Sequence, residues 1–310
     1  MTETRASLTR SAAMASIAAA LVLGVLKLWA VWQTSSTAML GSLADTGLDL
    51  VASCATLFAV WFAAQPADRE HRFGHGKAEA LAAMFQVILI VLSAGAIAFR
   101  GVLRLLGGSE TQGAEQGIAV SLIAIAVTLA LVAWQRHVVR RTGSVAIHTD
   151  SVHYQSDLLL NLAVIAALAL DQYLGFRQAD PLFGIAIAAW LLWNAWAASA
   201  EAVDHLMDRE WDDEKRRAFV AAAARHPELS NLHDLRTRTS GDRDFAQFHV
   251  DLPGSMSVAE AHDIIDRVEE DLHARFPNLE LVVHIDPRGH VDEPDNPLAE
   301  TDEFKELRNS

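Results

Sequence analysis

The chain has 310 residues, 51% of them hydrophobic, and its mean hydropathy is +0.18. This composition excludes a disordered or fibrous chain and indicates a membrane domain joined to a soluble part. Residues 1–200 contain 12 acidic and 12 basic residues, whereas residues 201–310 contain the remaining 27 acidic and 13 basic ones. An acidic soluble part argues against nucleic acid as a partner, because phosphates require a basic surface. The single cysteine, Cys54, allows neither an internal disulfide nor a thiolate metal cluster.

Six apolar segments predict six transmembrane helices, since each has the ~20 residues that a spanning helix needs. Lys and Arg are concentrated at one set of segment ends, which places both termini and the acidic C-terminal region in the cytoplasm. Polar residues interrupt the first half of the fifth segment, as is typical of a helix that lines a hydrated site. Lys27 lies inside the first segment, where the sequence allows either snorkelling or a partner in the bundle. The predicted segments are 12–33, 38–64, 81–106, 117–139, 145–171 and 179–203.

Two of these segments contain a pair of metal-binding side chains four residues apart. Asp45 and Asp49 lie in the second segment, and His153 and Asp157 lie in the fifth. Residues i and i+4 of an α-helix share one face, so each pair presents two ligands in the same direction. Two such helices side by side offer three carboxylates and one imidazole, a set that borderline divalent metals accept. Because ionisable groups at membrane depth usually face a cavity or a substrate path, these pairs indicate a metal-ion transporter. The alternative for the same residues is a buried polar network that only holds the two helices together.

The link between the second and third segments is a cytoplasmic loop with three further potential ligands. Pro66 and two glycines disfavour helix here, and the loop contains Asp68, His71 and His75. A loop of this kind can gather such residues round a metal ion. The alternative is a positively charged loop with incidental histidines, and the loop taken alone slightly favours this alternative.

After residue 205 the pattern changes to that of a small α+β domain with the element order αββαβ. The helices are expected to pack on one face of a three-stranded sheet. Ser257 and Glu260 form a capping box at the start of the second helix. The acidic tail that follows is predicted to be disordered. The predicted elements are helices 212–226 and 258–276 and strands 232–240, 244–252 and 279–286.

This small domain also has five potential metal ligands spread over four of its elements. On a strand, residues 284 and 286 point to the same face. Five such residues exceed what chance would place in one small domain, but their convergence does not follow from the sequence alone. They are His233, His249, His262, His284 and Asp286.

Together these features resemble the cation diffusion facilitator family, and above all its bacterial zinc and ferrous-iron efflux branch. The resemblance extends from about residue 10 to residue 287. It is carried by the C-terminal histidines and by three stretches, which are Asp45-x-x-x-Asp49, His153-Tyr154-Gln155-Ser156-Asp157, and the loop from Pro66-Ala67-Asp68 through Phe73-Gly74-His75-Gly76-Lys77-Ala78-Glu79.

The resemblance implies a six-helix transmembrane domain over 1–208 and a ferredoxin-like or metallochaperone-like αββαβ cytoplasmic domain over 209–290. The acidic tail of 291–310 follows them. It implies homodimers and an ion pair between Lys77 and Asp208 that links the two domains.

The resemblance also implies three metal regions. The transport site consists of Asp45, Asp49, His153 and Asp157, and the loop site consists of Asp68, His71 and His75. The cytoplasmic domain holds a two-metal cluster that helps two subunits to associate. The chain departs from the family pattern at Arg69, where a cation beside the loop site weakens metal binding by repulsion. The ligands of the cytoplasmic cluster are His233, His249, His262, His284 and Asp286.

The predicted function is efflux of a divalent metal ion from the bacterial cytoplasm across the inner membrane. Zinc is the preferred ion, with cadmium or ferrous iron as further substrates, and it exchanges for protons by alternating access. The alternatives are a membrane metal sensor that does not transport, and an exporter mainly of iron or manganese. The chain is not expected to be an enzyme, because it has no His-Glu-x-x-His helix of an intramembrane metalloprotease.

Overall fold

The computed structural model describes residues 2–34, 37–107, 114–176 and 178–289. The chain divides into two compact units, Met1–Leu206 and Met207–Ser310. The division lies close to the domain boundary predicted at residue 208. The tail predicted over 291–310 falls outside the described residues.

Within the described residues, the first unit has six long helices, one for each predicted segment, although α1 begins at Thr2, well before the predicted residue 12. Five of them are long and apolar enough to cross a membrane. The exception is α5, whose first half contains His148, Asp150, His153 and Asp157. The helices are α1 (Thr2–Thr34), α2 (Thr37–Ala63), α3 (Ala78–Gly107), α4 (Ala114–Thr142), α5 (Val145–Leu174) and α6 (Ala179–Leu206).

Small side chains let these helices approach closely, which is how spanning helices associate without a hydrophobic driving force. Helix α3 packs mainly on α6, while α1 packs on α2 and α4, and α4 packs on α5. A Cβ atom at Gly101 of α3 would lie 2.9 Å from Ile185 Cγ1 and 3.2 Å from the Pro181 carbonyl oxygen of α6. Glycine is therefore required at this crossing. The buried alanines at the other contacts include Ala12, Ala13, Ala59, Ala82, Ala94, Ala146, Ala188, Ala195 and Ala198.

The second unit has the predicted element order αββαβ. Its sheet has the strand order β1-β2-β3, with β1 antiparallel and β3 parallel to β2. Alternate residues of β2, such as Phe248 and Val250, face a core shared with both helices. His249 lies between them and therefore points to the opposite face. The elements are α7 (Asp213–Ala223), β1 (Ser230–Ser240), β2 (Arg243–Leu252), α8 (Val258–Arg275) and β3 (Leu279–Pro287).

The helix ends follow local chemistry. Asp212 caps α7, and Ser257 and Glu260 make both hydrogen bonds of the predicted capping box. The backbone N–H and the hydroxyl of Ser257 lower the pKa of Glu260. Helix α7 ends at Ala223, three residues before the predicted residue 226.

Candidate metal sites

Three potential ligands converge between α2 and α5, inside the membrane-spanning unit. One ligand atom each from Asp49, His153 and Asp157 lies within 4.8 Å of the other two. His153 Nε2 lies 2.8 Å from Asp49 Oδ1. The spacing of four residues on α5 places His153 and Asp157 on one face, as predicted. Asp49 and His153 are buried, with 9% and 8% of their surface exposed.

Asp45 lies one turn before Asp49 on α2, and its side chain is exposed. Its carboxylate is not among the three ligand atoms that converge. The structure thus brings together three of the four residues predicted for the transport site.

A second carboxylate on α5, Asp150, is fully buried and was given no role by the sequence patterns. Its Oδ2 accepts hydrogen bonds from Ser16 Oγ at 2.6 Å and from Gln135 Nε2 at 2.7 Å. Its Oδ1 accepts one from Gln86 Nε2 at 2.9 Å, and the same amide donates to Thr56 Oγ1 at 2.5 Å. The network therefore joins α5 to α1, α2, α3 and α4.

This network fixes the helix that carries His153. The carbonyl oxygen of Ser16 also accepts a hydrogen bond from the hydroxyl of Tyr154, which contacts Ser53 of α2 at 2.9 Å. Asp150 and Tyr154 lie on either side of His153 along α5, so these bonds anchor the turn of helix that carries the imidazole. The sequence signal was an acidic residue three positions before His153 in an apolar segment, but the donors to this residue come from three distant stretches of chain, at residues 16, 86 and 135.

The three predicted loop ligands also converge. Asp68 Oδ1 lies 3.3 Å from His71 Nδ1, and Asp68 Oδ2 lies 3.4 Å from His75 Nε2. The N–H groups of Glu70 and His71 donate to Asp68 Oδ1 at 2.9 and 2.6 Å, so a local turn orients the carboxylate. The side chain of His75 is almost fully buried, whereas those of Asp68 and His71 are half exposed.

The same turn keeps the Asp68 carboxylate ionised. The hydrogen bond from the His71 N–H is the main cause that lowers the pKa of Asp68 below its ordinary value. Protons therefore compete with a metal ion at this carboxylate only at lower pH than at a free aspartate. Arg69, the next residue, is exposed and adds a positive charge that opposes metal binding.

The cytoplasmic histidines form a row across the sheet because of its register. His233 pairs with His249, and His249 pairs with His284. Register shifts flank His233 on both sides, which re-aims its side chain. Asp286 is buried beside the row: one of its oxygens, Oδ2, lies 2.9 Å from His249 Nδ1 and 3.7 Å from His233 Nε2. Its other oxygen, Oδ1, lies 3.4 Å from His284 Nε2.

His262 does not join this row within the single chain. It lies on α8, in the layer on the other face of the sheet, and its side chain is 71% exposed. Its Nδ1 lies 3.5 Å from Asp266 Oδ1, one turn further along the helix. The structure thus brings together four of the five residues predicted for the cytoplasmic cluster.

The predicted ion pair between Lys77 and Asp208 joins the two units and stays a prediction. Within the first unit, Lys77 Nζ donates to the carbonyl oxygen of Leu206 at 3.1 Å, at the end of α6. Within the second unit, Asp208 Oδ1 lies 3.4 Å from Arg238 Nη1.

Comparison with known families assigns both units. The cation efflux transmembrane domain matches residues 13–207, which is more than half of the chain. The chain belongs to the cation diffusion facilitator family. The cytoplasmic domain of cation efflux proteins matches residues 211–288 of this facilitator. The prediction of a multi-pass membrane transporter of cations that is not an enzyme is thereby confirmed, as is the fold class.

Individual relatives agree with the family assignment. The facilitator is 42% identical over 278 residues to the cation-efflux pump FieF of Yersinia pestis (strain Pestoides F), covering 90% of this chain and 92% of that protein. The same values hold for FieF of Yersinia pseudotuberculosis serotype O:3. Among solved structures, the metal-bound C-terminal domain of the CzcD transporter from Thermotoga maritima is 26% identical. The match covers 26% of this chain and 99% of the CzcD domain, with a TM-score of 0.25.

The Asp150 network leads to a prediction about stability. Asp150→Ala removes one acceptor each from the buried amides of Gln86 and Gln135 and from the hydroxyl of Ser16. We expect a loss of about 1–3 kcal/mol, which lowers the melting temperature of the full chain in detergent by several degrees. The matched control is Ser11→Ala, because among the described residues the hydroxyl of Ser11 bonds only the local Leu8 carbonyl oxygen. Equal melting temperatures for the two variants would show that the network contributes nothing to stability.

Proposed function

We propose that this facilitator exports zinc from the cytoplasm in exchange for protons, as a homodimer in the bacterial inner membrane. The observation that carries the proposal is the convergence of Asp49, His153 and Asp157 within 4.8 Å inside the membrane-spanning unit. Ionisable groups at this depth are costly, and a bound cation is the partner that offsets the cost. A sensor that does not transport needs metal ligands only on its cytoplasmic side, so the intramembrane group favours transport.

The ligand types favour zinc among the divalent ions. Carboxylate oxygens with one imidazole nitrogen suit borderline metals such as zinc, cadmium and ferrous iron better than magnesium. An all-carboxylate site would favour manganese, and His153 argues against it. An exporter mainly of iron is the second candidate, because the same donor set accepts ferrous iron.

Proton exchange follows from the chemistry of the ligands. Carboxylates and imidazole bind a metal ion only after they lose their protons, so metal and protons compete for one site. An imidazole titrates at ~6.5 when unperturbed, within the physiological range. In the proposed cycle, cytoplasmic metal displaces protons from an inward-open site, and external protons displace the metal from an outward-open one.

The cytoplasmic row of histidines serves a different role in this proposal. It lies on the face of the sheet that the helices leave open, where a metal can bind without crossing the membrane. A metal ion that binds the dimer and not the separate subunits stabilises the dimer by mass action. The row therefore supports the homodimer and reports the cytoplasmic metal level. The loop site, with Arg69 beside it, is proposed as a weaker collecting point for incoming ions.

The proposed orientation rests on charge at the helix ends, with both termini in the cytoplasm. The side proposed as cytoplasmic carries Arg5, Arg10, Arg69, Arg72, Lys77, Arg136, Arg140 and Arg141, against Arg100, Arg104 and Arg177 on the other side.

Zinc flux into proteoliposomes tests the transport site. We expect wild-type flux that rises with an opposing proton gradient, and flux reduced at least about 100-fold in Asp49→Ala and Asp157→Ala, because each removes a charged ligand. Asp180→Asn is the matched control, since Asp180 pairs with Arg104 away from the site and its loss should leave flux near the wild-type level.

Two results would contradict the proposal. Flux at the wild-type rate in Asp49→Ala would exclude the intramembrane site. Flux that does not respond to the proton gradient would exclude antiport. Wild-type vesicles that move ferrous iron and not zinc would favour the second candidate.

A thermal-shift experiment tests the cytoplasmic row. Zinc should raise the melting temperature of the isolated segment 207–289, because the folded form holds the ligands together and the unfolded form does not. His249→Ala removes the central ligand and should abolish most of the shift. His273→Ala removes an exposed histidine that bonds only the Glu269 carbonyl oxygen and should keep it. A shift of equal size in all three proteins would mean that zinc binds elsewhere.

A further inference from the structure

Lys27 is a cation inside the first span, and it has partners in the helix bundle. Its Nζ donates to Thr46 Oγ1 at 2.6 Å and to the Ser42 carbonyl oxygen at 3.2 Å. The hydroxyl of Thr46 is buried, with 2% of the residue exposed. The ammonium is therefore anchored to α2 and is not extended along α1 towards the membrane surface, which answers the question that the sequence left open.

Both partners of Lys27 are neutral, although three carboxylates belong to the neighbouring transport site. Thr46 directly follows Asp45 and lies one turn before Asp49. Within the described residues, no carboxylate oxygen lies within 4.0 Å of Lys27 Nζ. Its bond to Thr46 places the ammonium beside the turn of α2 that carries Asp45 and Asp49, so its positive charge acts on the site.

The net charge of the metal-loaded transport site depends on whether a cation such as the Lys27 ammonium lies near it. Once they have lost their protons to accept a metal ion, the carboxylates of Asp45, Asp49 and Asp157 carry three negative charges. One divalent ion offsets two of them, and the third remains unless another cation is near. A net charge buried at membrane depth raises the free energy of any state in which the helices close over the ion.

From this geometry we propose that Lys27 is a fixed counter-charge of the transport site, which makes the site neutral when it holds one divalent ion. The inference rests on the proposed function. Lys27 has two effects here. It lowers the free energy of the closed, loaded site, and it weakens the hold of the carboxylates on the ion so that the ion can leave. Lys27 is then a residue that determines specificity for doubly charged ions, and it acts without touching them.

The test compares neutral and charged substitutions at this position in the full chain. Lys27→Gln keeps a hydrogen-bond donor for Thr46 and removes the charge. We expect it to bind zinc at least about ten-fold more tightly in detergent, because the repulsion between two cations is gone. In proteoliposomes its KM for zinc should fall and its maximal rate should fall as well, since release becomes slow. Lys27→Arg keeps the charge and should restore both constants towards the wild-type values.

A second neutral variant keeps the proposal falsifiable if Lys27→Gln fails to fold. The methionine of Lys27→Met suits a spanning helix, because this side chain is unbranched and apolar. The variant should bind zinc more tightly and release it more slowly, as Lys27→Gln does. Zinc binding that is unchanged or weaker in a folded neutral variant would overturn the proposal, as would Lys27→Arg behaving like Lys27→Gln. Wild-type protein that neither binds nor transports zinc would instead overturn the proposed function itself.

Discussion

Ionisable side chains at membrane depth raise the free energy of the fold unless each one has a donor, an opposite charge or a bound ion. Helix α5 carries Asp150, His153 and Asp157 within about two turns, and their surroundings in the bundle are of two kinds. Asp150 receives donors from α1, α3 and α4 and is satisfied within the protein. His153 and Asp157 converge with Asp49, and we propose that these three side chains share an ion. In this proposal the polar interior has one part that holds helices together and one part that exchanges ions, and the first part keeps the second in position.

The cytoplasmic unit gathers its ligands by a different constraint, the register of a sheet. Three adjacent strands each place a histidine at the same level, on the face opposite the helices. Solvent reaches this face, so the histidines need no ion for stability, and metal binding there responds to concentration. The intramembrane ligands lie on two helices with a fixed polar network beside them, whereas the cytoplasmic ligands lie on strands at an open surface. This contrast fits a transported ion in one place and a sensed ion in the other.

Local patterns predict much of this structure. Hydropathy predicts the six helices, alternation predicts the strands, and the Ser257–Glu260 capping box predicts the start of α8. Spacing of four residues predicts that His153 and Asp157 share a face. Features that depend on packing between distant segments do not follow from local patterns. The donors to Asp150 come from residues 16, 86 and 135, and the acceptors of Lys27 depend on how α1 packs on α2. Likewise, periodicity places His262 on a helix, but it does not predict that this side chain is exposed and pairs with Asp266 on its own helix.

The most direct test of the central claim is anomalous diffraction at the zinc absorption edge from crystals of the full chain soaked in zinc. The account predicts a peak between α2 and α5, about 2.0–2.2 Å from atoms of Asp49, His153 and Asp157, with Asp45 turned inward as the fourth ligand. Peaks confined to the loop and the cytoplasmic row at saturating zinc, with none between α2 and α5, would contradict it.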